Sequence, residues 1–160
     1  MFVTRSGRCA DMIVSWSMKH ESNPLDRVQI IHFPDDSTSP SWHQPVLALG
    51  NFDGLHRGHA KILAQVRRRA DESGVTAAVL TFDPHPSRVV RPHKAPPLLM
   101  TGSQKLAGFA AAGMDGIAVV RFTAELSHLE PEAFVRAVLV EWLRVAEVWV
   151  GANFLFGRER

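Results

Sequence analysis

Between residues 46 and 150 short apolar runs alternate with amphipathic stretches, and this alternation constrains the fold more than any other feature of the 160-residue chain. Val46-Leu47-Ala48-Leu49 is a continuous apolar run that stops at Gly50. A run with no polar alternation suits a strand buried on both faces, as in a parallel sheet. Arg57 to Ser73 then repeats Ile62, Leu63, Val66 and Ala70 on one helical face, with Gly74 where a helix C-cap belongs. Val75 to Phe82 reads as a second strand, Gln104 to Ala112 as a helix closed by Gly113, and Gly116 to Val120 as a third strand. Pro131 stands at a helix start, where a missing N–H costs nothing, and Phe134, Val135, Val138, Leu139 and Trp142 form that helix's inward stripe. Val145 to Val150 is the fourth strand. Strand and helix alternating in this way, joined by right-handed crossovers, predict an α/β fold: a parallel sheet with helices on both faces.

The length fits one domain, with or without a tail. Apolar residues at 46% and charged residues at 21% are ordinary for a globular protein, and a net charge of +2 names no polyanionic partner. Cys9 is the only cysteine, which excludes an internal disulfide and a cysteine-based zinc site. No apolar run approaches the roughly 18–20 residues of a membrane helix, and Met12-Ile13-Val14 is too short for a signal sequence. The expectation is a cytoplasmic protein that binds neither membrane nor nucleic acid. Residues 1–26 lack sustained periodicity and read as an irregular extension, with Met12 and Met18 as alternative starts; residues 27–160 read as the domain. Pro34 to Pro45 reads as a loop. Arg67-Arg68-Arg69 fans out over different helix faces and reads as solvated surface rather than a nucleic-acid patch.

In open parallel sheets, ligands bind beyond the carboxyl ends of the strands. Three unusual clusters follow predicted strands here. The first is Gly50-Asn51-Phe52-Asp53-Gly54-Leu55-His56-Arg57-Gly58-His59. Its glycines allow a sharp turn and close approach to bare backbone, and the helix that follows offers unpaired N–H groups to a phosphate. His56 and His59 are three apart, so both rings can face one phosphate and donate hydrogen bonds to developing negative charge. The alternatives are a glycine-rich strand-to-helix turn with Asp53 capping the helix, or a zinc site needing His85 as third ligand. The glycines match neither dinucleotide nor P-loop spacing. In the second cluster, Phe82-Asp83-Pro84-His85-Pro86, two prolines stiffen the backbone so that Asp83 can accept hydrogen bonds or help place Mg²⁺; a rigid Asx turn is the alternative, and His85 reads as a solvated loop histidine. In the third, Asn153 has donors and acceptors, while Phe154 and Phe156 either line an aromatic ligand or pack as core.

Taken together, Gly50 to His59, Thr81-Phe82-Asp83-Pro84-His85-Pro86 and Val150-Gly151-Ala152-Asn153-Phe154-Leu155-Phe156-Gly157 resemble the adenylyltransferase module of bacterial bifunctional riboflavin kinase/FAD synthetases, in order and spacing, from Val46 to the last residue. Lys105 and the stretch Leu126-Ser127 to Glu130-Pro131-Glu132-Ala133-Phe134 also fit. The resemblance implies a Rossmann-like, HIGH-type nucleotidylyltransferase fold and transfer of AMP from ATP to FMN, giving FAD and pyrophosphate. It implies ATP binding by Gly50, Asn51, Phe52, Asp53, Gly54, His56, Gly58 and His59, with His56 and His59 catalytic. Phe82, Asp83, Pro84, Asn153 and Phe154 would sit at the flavin and Mg-ATP end, with Mg²⁺ entering on ATP and no resident metal. The family's second signature, a Ser/Thr-rich run ending in Arg, belongs beyond the Phe-Gly element, whereas this sequence stops at Arg160 and lacks the riboflavin kinase domain. The expectation is therefore a C-terminally incomplete domain with little or no turnover. The rival readings are a nucleotidylyltransferase with a pantetheine or polyol phosphate acceptor, a non-catalytic nucleotide- or flavin-binding module, and a histidine metal protein.

Overall fold

The computed structural model describes residues 23–36 and 38–151. Asn153 and Phe154, and residues 1–22 of the predicted extension, lie outside them. The strands β1 (Gln29–Phe33), β2 (Val46–Leu49), β3 (Ala77–Asp83), β4 (Gly116–Arg121) and β5 (Glu147–Val150) form one sheet in the order β1-β4-β3-β2-β5. Every neighbouring pair is parallel. The sequence predicts four of the five. β1 escapes because it lies at an edge and only Ile31 in it is buried, so it carries no continuous apolar run. β3 and β5 each begin two residues later than their apolar runs. Val75 still bonds back to Ala70 at the end of the preceding helix, and Val145 to Leu139, so those residues complete helix ends before pairing begins.

Helix α1 (Arg57–Ser73) has the predicted bounds, and Gly74 closes it in the left-handed region at φ 67°. Two short helices, α2 (Pro86–Val90) and α4 (Ala124–Ser127), flank α3 (Gly102–Ala111). α3 starts two residues before the predicted Gln104, because Thr101 caps it and Gln104 returns the bond to the Thr101 N–H, a reciprocal box that fixes the first turn. α5 (Pro131–Phe134) runs straight into a π-helical stretch, Val135–Trp142. The wider turn corrects the predicted stripe. Phe134, Val138, Leu139 and Trp142 are buried, but Val135 rotates outward to 42% exposure and Leu143 takes an inward place.

The core has two parts. One packs Leu63, Val66 and Ala70 of α1 and Phe109 of α3 on one face of the sheet. The other packs Phe134 and the π-helical stretch on the opposite face. Direction accounts for this division. From β2 through β3 to β4 the chain steps one way across the sheet, by way of α1 and α3. From β4 to β5 it steps back past β2, and a crossover of constant hand then requires the opposite face. The reversal sets β2, whose chain leaves into α1 on one face, beside β5, whose chain arrives from the opposite face, and a crevice lies beyond their carboxyl ends.

Candidate functional site

That crevice holds a cavity of about 680 Å³, walled by the Gly50–Asp53 loop after β2, the first turns of α1 from His56 to Ile62, and Val150 and Gly151 at the end of β5. The loop is held in an unusual shape. Phe52 has φ 50°, in the left-handed region that disfavours a bulky side chain, and Gly54 has φ 77°. Burial of Phe52, 1% exposed, offsets that cost: its ring meets the edge of Phe109 at 5.2 Å and of His59 at 4.9 Å. Asp53 does not cap α1, as one sequence reading had it. Its Oδ1 instead accepts the Leu99 N–H at 2.9 Å and ties the loop to the segment that leads into α3.

The residue that caps α1 is His56. Its Nδ1 accepts the N–H groups of Gly58 (3.1 Å) and His59 (3.3 Å). Two of the expected unpaired amides at this helix start are thus taken by an imidazole. A ring that accepts at Nδ1 must, when neutral, carry its proton on Nε2. His59 is the complement: its Nδ1 lies 2.7 Å from the Gly54 carbonyl, which can only accept, so Nδ1 is protonated and the neutral ring has a bare Nε2. The two rings stack with centroids 3.8 Å apart. Burial holds the His59 pKa below its ordinary value; the Gly54 bond opposes this, and His56 lowers it further. Gly58 leaves room beside the pair: a Cβ there would stand 3.0 Å from the His56 ring, which would have to shift.

The second cluster lies farther along the same edge. Phe82, Asp83 and Pro84 are not among the walls of the β2–β5 cavity. Phe82 is 2% exposed and packs on Phe122 and Phe134, on the face away from α1. Asp83 and Pro84 are exposed at the end of β3. His85 is not a free loop side chain. It is half-buried and caps α2 by accepting the Ser87 N–H at 3.2 Å. Its pKa is lowered by burial, against the pull of Asp53 and with help from Lys105 and Arg88. Asn153 and Phe154 lie outside the described residues.

Two residues matter here that chemical reasoning from the sequence passed over. Thr81 is the one polar side chain in the otherwise apolar core of the described residues, 1% exposed, and its hydroxyl donates to the Asn51 carbonyl at 3.1 Å. Lys105 of α3 donates to the same carbonyl at 3.1 Å and to the Thr81 hydroxyl at 3.3 Å. A lone threonine in a buried strand was the available signal. Away from the site, Arg67, Arg68 and Arg69 are paired with Asp71 and Asp115, with Glu72, and with Glu72 and Glu147, respectively. No helix among the described residues is long and apolar enough to cross a membrane.

Residues 38–160 match the family described as FAD synthetase. The chain is 39% identical over 132 residues to a bifunctional riboflavin kinase/FMN adenylyltransferase from Listeria monocytogenes, covering 81% of this chain and 41% of that protein. It is 40% identical over 115 residues to the protein of the same description from Pseudomonas fluorescens, covering 72% and 37%. The chain therefore spans well under half the length of these curated relatives. Among solved structures it resembles a macrolide-efflux protein from Streptococcus pneumoniae, with a TM-score of 0.68 over 81% of this chain and 44% of that one. At 20% identity, that likeness speaks for the fold alone.

Proposed function

Because the chain belongs to the FAD synthetase family, we propose that it carries the nucleotide half of an FMN adenylyltransferase, working on ATP and FMN with the cytoplasm as its setting. The observation that carries this reading is the stacked histidine pair at the wall of the β2–β5 crevice. The triphosphate lies in that crevice. An oxygen of the FMN phosphate forms a bond to the α-phosphorus while the α–β bridging P–O bond breaks, and its electron pair leaves with pyrophosphate. No protein nucleophile is needed, so the protein's work is positioning and stabilisation of charge. His56 in its neutral state presents an Nε2–H to a phosphate oxygen. His59 does so once it has taken up a proton, which the approach of negative charge favours.

Magnesium belongs to this reading as ATP's companion. No group of three His, Cys, Asp or Glu side chains among the described residues could hold a metal by itself. A hard cation that keeps most of its waters needs only one or two carboxylates besides the phosphates, and the exposed Asp83 at the strand edge fits that need. When bound, the ion would neutralise charge on the phosphates.

Calorimetric titration of the chain with MgATP tests the reading. Binding that falls at least tenfold in His59→Ala supports it. Wild-type protein that binds neither MgATP nor MgATP with FMN present overturns it.

A further inference from the structure

The Gly50–Asp53 loop must keep one shape if the crevice is to accept a triphosphate, yet among the described residues it has few backbone anchors. Gly50 N–H bonds the Leu80 carbonyl, and beyond that the loop leaves the sheet. The Asn51 carbonyl, immediately before left-handed Phe52, is instead gripped by two side chains: the Thr81 hydroxyl and the Lys105 ammonium, which also bond one another. A part-buried carbonyl with two strong donors is a fixed point, and it sets the peptide that turns Phe52 into the core. Lys105 also balances charge. Asp53 from the loop and Asp83 from the end of β3 both act on it electrostatically, and their attraction opposes the burial that lowers its pKa. Asp53, which walls the cavity, would repel a triphosphate docking there. A cation fixed between loop and sheet offsets that repulsion without occupying the cavity, whose walls do not include Lys105.

We propose that Lys105 is a positioning residue of the nucleotide site: its ammonium locks the Asn51 carbonyl to Thr81 and so holds the loop in the shape that walls the cavity, with a positive charge set two residues from Asp53 on that wall. This rests on the nucleotide-binding reading given above.

The test uses the full chain and MgATP as probe, with Lys105→Met, Lys105→Arg and Thr81→Val. Methionine keeps the length of the lysine stem and removes the charge. It should weaken MgATP binding about tenfold or more, the scale of a lost charged hydrogen bond. Arginine keeps the charge and should recover most of that loss, although it is bulkier and fits a purely packed site worse. Thr81→Val should cost about threefold at unchanged far-ultraviolet circular dichroism, and it reads the same anchor should Lys105→Met not fold. Wild-type binding together with unaltered affinity in Lys105→Met or, where that variant does not fold, in Thr81→Val overturns the role of Lys105 alone, as does equal loss in the arginine and methionine variants. Absence of wild-type binding overturns the nucleotide reading and this one with it.

Discussion

His56 and His59 are the same residue type three positions apart, yet their partners make them chemically different. One accepts at Nδ1 from two amides, and the other donates at Nδ1 to a carbonyl. Proton–nitrogen correlation spectra should therefore show His56 as the Nε2–H tautomer and His59 as the Nδ1–H tautomer; the reverse assignment would contradict the geometry. Protonation adds a second prediction. The folded His59 pKa lies below the usual 6.5, so the unfolded chain binds a proton more readily. Its contribution to stability is present in full above about pH 6.5 and is lost as pH falls through the folded pKa. His85 acts in the same direction. Thermal unfolding followed from pH 7.5 to pH 5 should show the wild type losing more stability than His59→Gln; parallel curves would remove His59 from the account. Bound MgATP should reverse the trend, since a phosphate favours the protonated ring.

At the scale of elements, α3 supports the site without forming its wall. Phe109 is fully buried under Phe52, and Lys105, one turn earlier, holds Asn51. Phe109→Ala should cost about 3–5 kcal/mol in denaturant unfolding. It should also speed hydrogen exchange at Phe52 and Asp53 more than at the buried strand β3. Equal acceleration in both places would mean that the loop does not depend on α3. The sequence makes much of this architecture readable, because periodicity reports burial. The unbroken apolar run of β2 and the striped face of α1 have one interpretation each, and Gly74 marks where α1 stops. It hides what periodicity does not encode. β1 is half-exposed at an edge, and the Val135 stripe assumes 3.6 residues per turn where the chain winds more widely. In the site, residue type and spacing reveal the histidine pair. Which side chains tie the loop to α3 is set by long-range packing, so the Asp53–Leu99 bond is unforeseen and Lys105 is missed as an anchor.

Across the whole molecule, the sheet of the described residues has two different edges. β1 is partly polar, whereas β5 leaves Val148 and Val150 at 41% and 46% exposure. Exposed apolar edge strands template pairing with other chains. Val148 is not a wall of the cavity, so Val148→Lys should raise the concentration at which light scattering detects association while leaving MgATP affinity unchanged. A loss of affinity would show that β5 and the crevice respond as one unit. The crevice itself is a product of long-range closure. Leu49 and Val150 are register partners, although one belongs to the first strand of the β2–β5 unit and the other to its last. Such a pocket is incomplete in a partly folded chain, because the wall supplied by the segment from Leu49 to Ile62 closes only against the distant Val150 and Gly151. A ligand held there is a thermodynamic clasp: the free energy of occupancy is added to the whole fold at once, and the melting temperature becomes a gauge of nucleotide concentration.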